Sequence, residues 1–338
     1  MTFKDTKIIT VFGATGRQGS SVVRSLVQNP QFQVRAITRN PASTKAKELV
    51  ALGAEVVQAD GFNREQLAVA FAGSWGAFVN TNSEDPELAA QGLTDEDLGG
   101  AVIESAAQAG VKHLVYSSGL PVAELTHGAV ACPGLDLKVQ VERKAYSLTG
   151  FRTVTPIVAA WFMENWLEPG YADLFGGFPH FPDSEGYLTY KTPFWGGREN
   201  FPWISMTDDF GDLVHGILLR PDRWNRRLIQ GTSDIVSSAE LVNTFVSVTG
   251  RRARYVLLTD PFEMNTKGEY WREQERDVFI FAQHRDGEYF CNGPTEIETA
   301  AALKKAAYIA KGNQGRETLM TAREFIAREF RGGRGKGL

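Results

Sequence analysis

Residues 7–19 constrain the fold of this chain more than any other stretch. An apolar run ends at Phe12, and three evenly spaced glycines follow before a helical pattern begins, namely Gly13, Gly16 and Gly19. The first glycine permits a tight turn out of a strand, the second lets a phosphate approach the backbone, and the third lets the next helix lie close to the sheet. Because the free amides at a helix start favour an anion, the spacing predicts a strand, a turn and a helix that hold the pyrophosphate of a dinucleotide.

The composition is that of an ordinary globular protein. Of the 338 residues, 43% are hydrophobic and 22% are charged, and the formal net charge is −4. This charge gives no electrostatic footprint for nucleic acid, and two cysteines far apart in sequence give no disulfide framework. No apolar run approaches the roughly 20 residues that cross a bilayer. We therefore expect a cytoplasmic protein that binds neither nucleic acid, nor a membrane, nor a metal.

Strand-like and helix-like patterns alternate through the first half of the chain. After the first strand, further strands are predicted at 32–37, 54–58, 76–80, 112–117 and 153–156. Helices are predicted between them at 43–52, 64–71, 93–109 and 136–148. Alternation of this kind is typical of βαβ units and a parallel sheet. The predicted fold class is α/β, with a doubly wound parallel Rossmann sheet whose ligand crosses the carboxyl ends of the strands.

The pattern changes after residue 157. The segment 161–205 is rich in aromatic residues, glycine and proline without a clean period, which indicates either an apolar cap or loops around a ligand pocket. Helical patterns return at 208–219, 238–249, 269–284 and 317–330. We predict a Rossmann domain over 1–157, a smaller mixed C-terminal lobe over 158–330 that is interleaved with it, and a disordered Gly/Arg tail over 331–338.

Residues at the carboxyl ends of the predicted strands are the candidate cofactor ligands. Arg39 follows the second strand, where an acidic residue would select NAD and an arginine accommodates the 2′-phosphate of NADP. Arg17 in the glycine loop adds a second cation. Asp60, after the third strand, is either an acceptor for the adenine amino group or a plain turn residue. The residues expected to border the nicotinamide ribose are Asn80, Thr81, Asn82, Ser117 and Ser118.

Lys138, at the start of the helix after the fifth strand, is the candidate catalytic residue. It could hold the ribose of a cofactor, or act as general acid or base if burial lowers its pKa. The five histidines form no cluster, and His127 is the one in the loop before Lys138. No GxSxG motif or nucleophile–base pair is present.

These motifs resemble those of the NmrA-like family, an atypical branch of the short-chain dehydrogenase/reductase superfamily. The glycine loop and the segments 38–41 and 53–60 carry the likeness, which continues at 115–119, 162–165, 205–209 and 248–251. The resemblance implies NADP(H) bound between a Rossmann domain and a smaller lobe. The cofactor contacts that we predict are Gly13, Ala14, Thr15, Gly16, Arg17, Gln18, Gly19, Arg39, Asp60, Asn80, Thr81, Asn82, Ser117, Lys138, Phe162 and Asn165.

The resemblance implies more than one kind of function. The family includes redox-sensing regulators and reductases, among them fungal biosynthetic enzymes. Related isoflavone-reductase-like enzymes use a lysine where Lys138 falls, but Gly134 stands where the superfamily's Tyr-x-x-x-Lys motif has its tyrosine. An acid would then come from Lys138, His127, Tyr187 or Tyr190. We favour an NADP(H)-dependent oxidoreductase of a largely apolar small molecule in secondary-metabolite biosynthesis. The alternatives are a non-catalytic NADP(H) sensor that regulates a protein partner, in which case a nuclear location also fits, and an NADP-holding cyclase or isomerase.

Overall fold

The fold is taken from a computed structural model, which describes residues 6–83 and 85–331. Apart from residue 331, the predicted tail at 331–338 lies outside the described residues. The strands are β1 (Lys7–Phe12), β2 (Phe32–Thr38), β3 (Glu55–Gln58), β4 (Gly76–Val79), β5 (His113–Ser117), β6 (Thr153–Ala159), β7 (Trp161–Phe162), β8 (Leu188–Pro193), β9 (Pro202–Ile204), β10 (Ile229–Gly231), β11 (Asp234–Ile235) and β12 (Ala253–Leu258).

The helices occupy the intervals between these strands. They are α1 (Arg17–Leu26), α2 (Thr44–Ala51), α3 (Arg64–Phe71), α4 (Pro86–Ala90), α5 (Asp95–Gln108), α6 (Val122–Leu125), α7 (Pro133–Ser147), α8 (Pro169–Leu174), α9 (Gly211–Leu219), α10 (Pro221–Trp224), α11 (Ser238–Thr249), α12 (Tyr270–His284), α13 (Glu298–Ala310) and α14 (Ala322–Phe330). Met163–Leu167 and Pro261–Glu263 form 3₁₀ turns, and Met206–Phe210 forms a turn of π-helix. No helix in the described ranges has both the length and the apolarity that a membrane crossing requires.

Seven parallel strands form the central sheet in the order β10-β6-β5-β4-β1-β2-β3. The order reverses at β1, and in sheets of this kind ligands bind in the crevice beyond the carboxyl ends at that point. The predicted doubly wound Rossmann sheet is therefore confirmed. The later part of the chain adds β10 to this sheet and forms two small sheets of its own, β11-β9-β7 and β12-β8.

Apolar side chains alternate along β1 and reach the two faces of the sheet. Ile9 and Val11 belong to one buried cluster, which includes residues of α1, α9 and α13 and continues into the aromatic residues of the C-terminal lobe. Phe12 belongs to a second cluster, which includes residues of α3, α5 and α7. This is the two-sided cover that a buried parallel sheet requires.

Two helix predictions need correction. The helix predicted at 317–330 begins only at Ala322, because Thr321 and Glu324 form a capping box that starts it there. Helix α7 begins at Pro133, five residues before Lys138, so that Lys138 lies in its second turn. A proline is well tolerated at a first helical position, where its missing N–H has no intrahelical role.

Candidate functional site

The glycine loop between β1 and α1 is packed so tightly that side chains do not fit. Gly13 has a φ of +75°, and a Cβ at this position would lie 2.5 Å from the carbonyl oxygen of Asn80. A Cβ on Gly19 would lie 2.2 Å from the carbonyl oxygen of Gly13. Gly16 is the N-cap of α1 and offers no side-chain acceptor to the first-turn amides. Those amides have no acceptor within the helix, so the loop is chemically suited to an anion such as a phosphate.

A first cavity, of about 240 Å³, opens beside this loop. Its wall includes Gly13, Thr15, Gly16, Thr38, Arg39, Asp60, Asn80, Thr81 and Asn82, together with apolar residues of β1, β2 and the start of α5. Oδ1 of Asp60 accepts a hydrogen bond from the N–H of Phe62, two residues further along the same loop, at 2.8 Å. The adenine side of a dinucleotide fits a cavity with this mixture of apolar walls and a few polar groups.

Arg39 is not free at the rim of the first cavity. Its guanidinium is paired with Asp85 at 3.0 Å and with Glu87 at 2.5 Å, although its side chain is 56% exposed. Both carboxylates come from the start of α4, which follows β4. An arginine fork suits phosphate oxygens, but a 2′-phosphate would have to compete here with two carboxylates.

A second, larger cavity of about 580 Å³ continues from the first, and both are lined by Gly16, Asn80, Thr81 and Asn82. Other predicted site residues line the second cavity, namely Arg17, Gln18, Ser117, Ser118, Lys138, Phe162 and Asn165. Ala14 and Gly19 are buried in the loop itself. The structure therefore brings the predicted residues together along one crevice at the carboxyl ends of the strands.

Lys138 lies at the floor of the second cavity and is buried. Its Nζ donates to the carbonyl oxygen and to the Oγ1 of Thr81, both at 3.0 Å, and forms an ion pair with Asp95 at 3.1 Å. Tyr116 lies close by at the end of β5, where burial and then the negative charge of Asp95 raise the pKa of its phenol well above the usual range. Ser118 donates its hydroxyl proton to Glu142. Lys138 is thus held by two hydrogen bonds to Thr81 and by the ion pair with Asp95.

The far wall of the second cavity is aromatic. The segment 161–205 supplies Trp161, Phe162, Asn165 and Tyr171, and α12 with the loop after it supplies Tyr270, Trp271, Gln274, Glu275, Val278 and Tyr289. The loop before α7 adds Cys132, Gly134 and Leu135. The residues from α12 are absent from the sequence prediction. The sequence predicts the helix at 269–284 itself, but which face of that helix turns to a ligand depends on tertiary packing.

Most of the aromatic segment serves the core instead of a ligand. Fully buried rings include those of Trp195, Phe201 and Trp203. Tyr190 is buried between Phe175 and Phe178.

None of the three alternative proton donors lines the second cavity. Tyr190 belongs to the core, and the ring of Tyr187 lies beneath the guanidinium groups of Arg252 and Arg254. His127 is exposed, in a turn with a φ of +52°, just after α6. The suggestion that one of these side chains supplies an acid is therefore not supported by their positions.

The parallel sheet order and the crevice at its carboxyl ends define a Rossmann-fold protein. The model of the NmrA-like family matches residues 5–308. An NmrA-like family domain-containing oxidoreductase of Aspergillus japonicus, himF, is 55% identical over 327 residues, which cover 96% of this chain and 98% of that protein. A second, lnaB of Aspergillus flavus, is 47% identical with the same coverage of both chains. The chain belongs to the NmrA-like family.

Solved structures of other proteins share the fold. The negative transcriptional regulator NmrA in complex with NADP superposes with a TM-score of 0.72 at 23% identity, covering 97% of this chain and 96% of that one. The NADPH-dependent quinone oxidoreductase QOR2 of Escherichia coli, complexed with NADPH, superposes with a TM-score of 0.64 at 19% identity and covers 95% of this chain and 99% of that one.

Proposed function

We propose that this chain is an NADP(H)-dependent oxidoreductase that acts on a largely apolar small molecule in secondary metabolism. The observation that carries the proposal is the continuity of the two cavities, because one crevice joins a glycine-rich anion cradle to an aromatic pocket. The relatives himF and lnaB carry the name oxidoreductase, which supports the same reading. In domain terms, residues 1–157 would bind the cofactor and residues 158–330 would cover the substrate.

The residues present fit NADP(H). The glycine loop would hold the pyrophosphate. The close turn of this loop requires glycine at position 19, because a Cβ there would lie 2.2 Å from the carbonyl oxygen of Gly13. Arg39, with Arg17, would bind the 2′-phosphate, and Asp60 would accept the adenine amino group. The residues that would border the nicotinamide and its ribose are Asn80, Thr81, Asn82, Ser117, Lys138, Phe162 and Asn165. NADPH supplies a hydride when it is bound.

The chain's own contribution is to bind and orient the cofactor and the substrate, and to exclude water from them. Lys138 would order the ribose, and its fixed position between Thr81 and Asp95 makes it suited to that role. Phe162 and Trp161 would shield the reacting face from solvent, which strengthens the electrostatic interactions inside the pocket. Lys138 also occupies the lysine position of the superfamily's Tyr-x-x-x-Lys motif, four residues after Gly134, so it would assist proton transfer where a substrate needs it.

A second candidate function is a non-catalytic NADP(H) sensor that regulates a protein partner. It is favoured by Gly134, which leaves the usual tyrosine position of the superfamily without a phenol. Shared fold does not decide between a sensor and an enzyme.

One experiment separates the two. NADPH and NADP⁺ binding to the purified chain would be measured by calorimetry, and NADPH absorbance would then be followed with a panel of aldehydes, ketones, enones and imines. We expect oxidation of NADPH with at least one class of compound. Lys138→Met should abolish this activity, whereas Lys144→Met, which changes a lysine of the same helix outside the cavity, should keep it. If no class is reduced while a protein partner binds the NADPH and NADP⁺ forms differently, the oxidoreductase proposal fails.

A further inference from the structure

A third cavity, of about 440 Å³, lies outside the cofactor crevice and is lined by the end of α9, by α10 and by α13. Helices α9 and α13 cross closely beside it, since a Cβ on Gly216 would lie 2.4 Å from the carbonyl oxygen of Leu303. In the ranges that the structure describes, this cavity shares no lining residue with the first or the second cavity. Its volume is that of a small-ligand pocket.

The lining that α13 contributes is largely apolar and consists mainly of small side chains. Ala302, Ala306 and Ala310 are spaced four residues apart, so they lie on one face of the helix. Ile309 lines the same cavity, and its side chain is 60% exposed. Trp224 of α10 adds an aromatic ring to the lining. A hydrocarbon body bound here would remove apolar surface of both partners from water, which is favourable.

The charged side chains of the third cavity are all positive. Arg220, Arg223 and Lys305 line it, and none of the acidic residues that the structure describes does so. Arg220 and Arg223 form no ion pair with a carboxylate in the described part of the chain. Asp222 lies between them in sequence, but Arg152 binds its two oxygens at 2.9 and 3.0 Å. The cavity is therefore a positive site in a chain whose net charge is −4.

The three cations differ in how much of their charge is available. Lys305 is paired with Glu317 at 3.2 Å, so its charge is partly compensated. The guanidinium of Arg223 lies over the ring of Trp224, with Cζ 4.8 Å from the ring centroid. This cation–π contact restricts the position of the guanidinium and supplies no carboxylate to it. Because an arginine fork matches the two oxygens of a carboxylate, Arg220 and Arg223 are the groups suited to an anionic ligand.

We propose that the third cavity binds an aliphatic carboxylic acid as its anion. Arg220 and Arg223 bind the carboxylate, and the hydrocarbon body packs on the alanine face of α13 beside Ile309. Eleven residues line the cavity, whereas a stable protein interface has about 20–30 residues on each side, so its size favours a small molecule over a macromolecule. The site goes beyond the oxidoreductase function, because its lining is separate from that of the cofactor crevice.

Octanoate and octanamide test this proposal, because they have the same length and differ in charge. Their affinities for the full chain, measured by calorimetry, isolate the contribution of the carboxylate. Hydrogen bonds between charged groups should give octanoate a preference of about tenfold. Replacement of Arg220 and Arg223 together by glutamine should remove that preference. Absence of octanoate binding, or equal affinity of the wild-type chain for the two compounds, would overturn the proposal.

Matched variants locate the binding. Arg227→Gln makes the same charge change at an exposed position of the same segment that does not line the cavity, and it should keep the preference. Ala306→Trp fills the cavity and should abolish octanoate binding, whereas Ala301→Trp, at an exposed position of the same helix outside the cavity, should keep it. Binding that survives both Ala306→Trp and the double arginine change would lie elsewhere in the protein and would overturn the proposal. The arginines are exposed, so their variants decide the outcome even where Ala306→Trp does not fold.

Two further measurements test for other occupants of the cavity. Sedimentation velocity reports a second copy of the chain, and flotation with vesicles of dioleoylphosphatidylglycerol reports an anionic membrane surface. We expect Ala306→Trp and the double arginine change to alter neither result. Dimers or vesicle binding that these variants abolish would assign the cavity to that occupant and overturn the proposal. None of these measurements requires hydride transfer, so their failure leaves the oxidoreductase function standing, and failure of NADPH binding leaves the octanoate comparison decisive.

Discussion

Lys138, which lines the second cavity, forms an ion pair with Asp95 at 3.1 Å, and the two side chains are 11% and 1% exposed. Asp95 is the first residue of α5, where the helix dipole favours a negative charge. The pair joins α5 to α7, the two helices that pack together on one face of the sheet. It therefore holds a candidate catalytic lysine and also contributes to the packing of the Rossmann domain.

Removal of this lysine should destabilise the protein more than removal of an exposed one. Lys138→Met leaves Asp95 as an unpaired buried charge and should lower the free energy of unfolding by about 3 kcal/mol. Lys144→Met removes a lysine of the same helix that is 42% exposed and paired with Glu104, and it should cost at most about 1 kcal/mol. Urea titrations of both variants check this, and Asp95→Asn added to Lys138→Met should recover part of the loss. Equal losses for the two lysines would contradict the prediction.

Cofactor preference should depend on Arg39 and on the carboxylates that compete for it. Arg39→Ala should weaken NADPH binding about tenfold through loss of a charged hydrogen-bond donor, and should change NADH binding little. Glu87→Gln removes a competing carboxylate and should tighten NADPH binding. Isothermal calorimetry with both cofactors measures these changes.

Arg64→Ala is the matched control for this prediction. Arg64 is an exposed arginine paired with Glu104 at 3.3 Å, and it lines neither cavity. Its removal should leave both affinities unchanged. Equal weakening of NADPH and NADH by Arg39→Ala would show that Arg39 does not read the 2′-phosphate.

The two glycines at 19 and 134 should respond in opposite ways to the same substitution. Gly19→Ala places a Cβ 2.2 Å from a backbone oxygen, so the loop must move and NADPH binding should be lost. In Gly134→Ala the nearest atom to the new Cβ is Oγ of Ser83 at 3.5 Å, an ordinary contact. Because alanine restricts the unfolded chain and favours a helix, Gly134→Ala should raise the free energy of unfolding by about 0.5 kcal/mol. Thermal unfolding and NADPH titration test both, and loss of NADPH binding in Gly134→Ala would contradict the assignment of this position to the substrate side.

The features that could be predicted from the sequence are those fixed by local spacing. The strand, glycine turn and helix of residues 7–26 follow from steric demands that act within a few residues, and so do the alternating strands that give the parallel order. Helix α13 is absent from the sequence prediction, and its N-cap, Ile297, offers no side-chain acceptor as a start signal.

The substrate side of the site was beyond sequence prediction for a different reason. Glu275 and Tyr171 are 104 positions apart, and their contact depends on how α12 packs against the aromatic segment. Arg39 shows the same limit. Its position after β2 was predictable, but its ion pairs with Asp85 and Glu87 come from an element 46 and more positions further along the chain.

His215 lies in a buried network that accepts only its neutral form. Ser25 Oγ donates to Asp212 at 2.6 Å, so its oxygen is left to accept from Nδ1 of His215 at 3.0 Å. Asn29 Nδ2 donates to Nε2 of His215 at 2.9 Å, and the orientation of this amide is fixed because its Oδ1 accepts the N–H of Gln31. A proton on Nε2 would therefore face another donor. Burial, as the main cause, lowers the pKa of His215 to about 4.

The stability of the protein should consequently fall with acid between pH 6.5 and about 4. The unfolded chain takes up a proton on this histidine near its ordinary value of 6.5, whereas the folded chain does so only near 4, so the full contribution is present above 6.5 and is lost as the pH falls. Urea titrations across this range should give a slope that is smaller in His215→Gln than in the wild type by up to one proton, about 1.4 kcal/mol per pH unit. His284→Gln, a change at an exposed histidine at the end of α12, should keep the wild-type slope. His113, whose pKa burial also lowers to about 4, adds a slope of its own that remains in both variants. An identical slope in His215→Gln and the wild type would show that the network tolerates the charged ring.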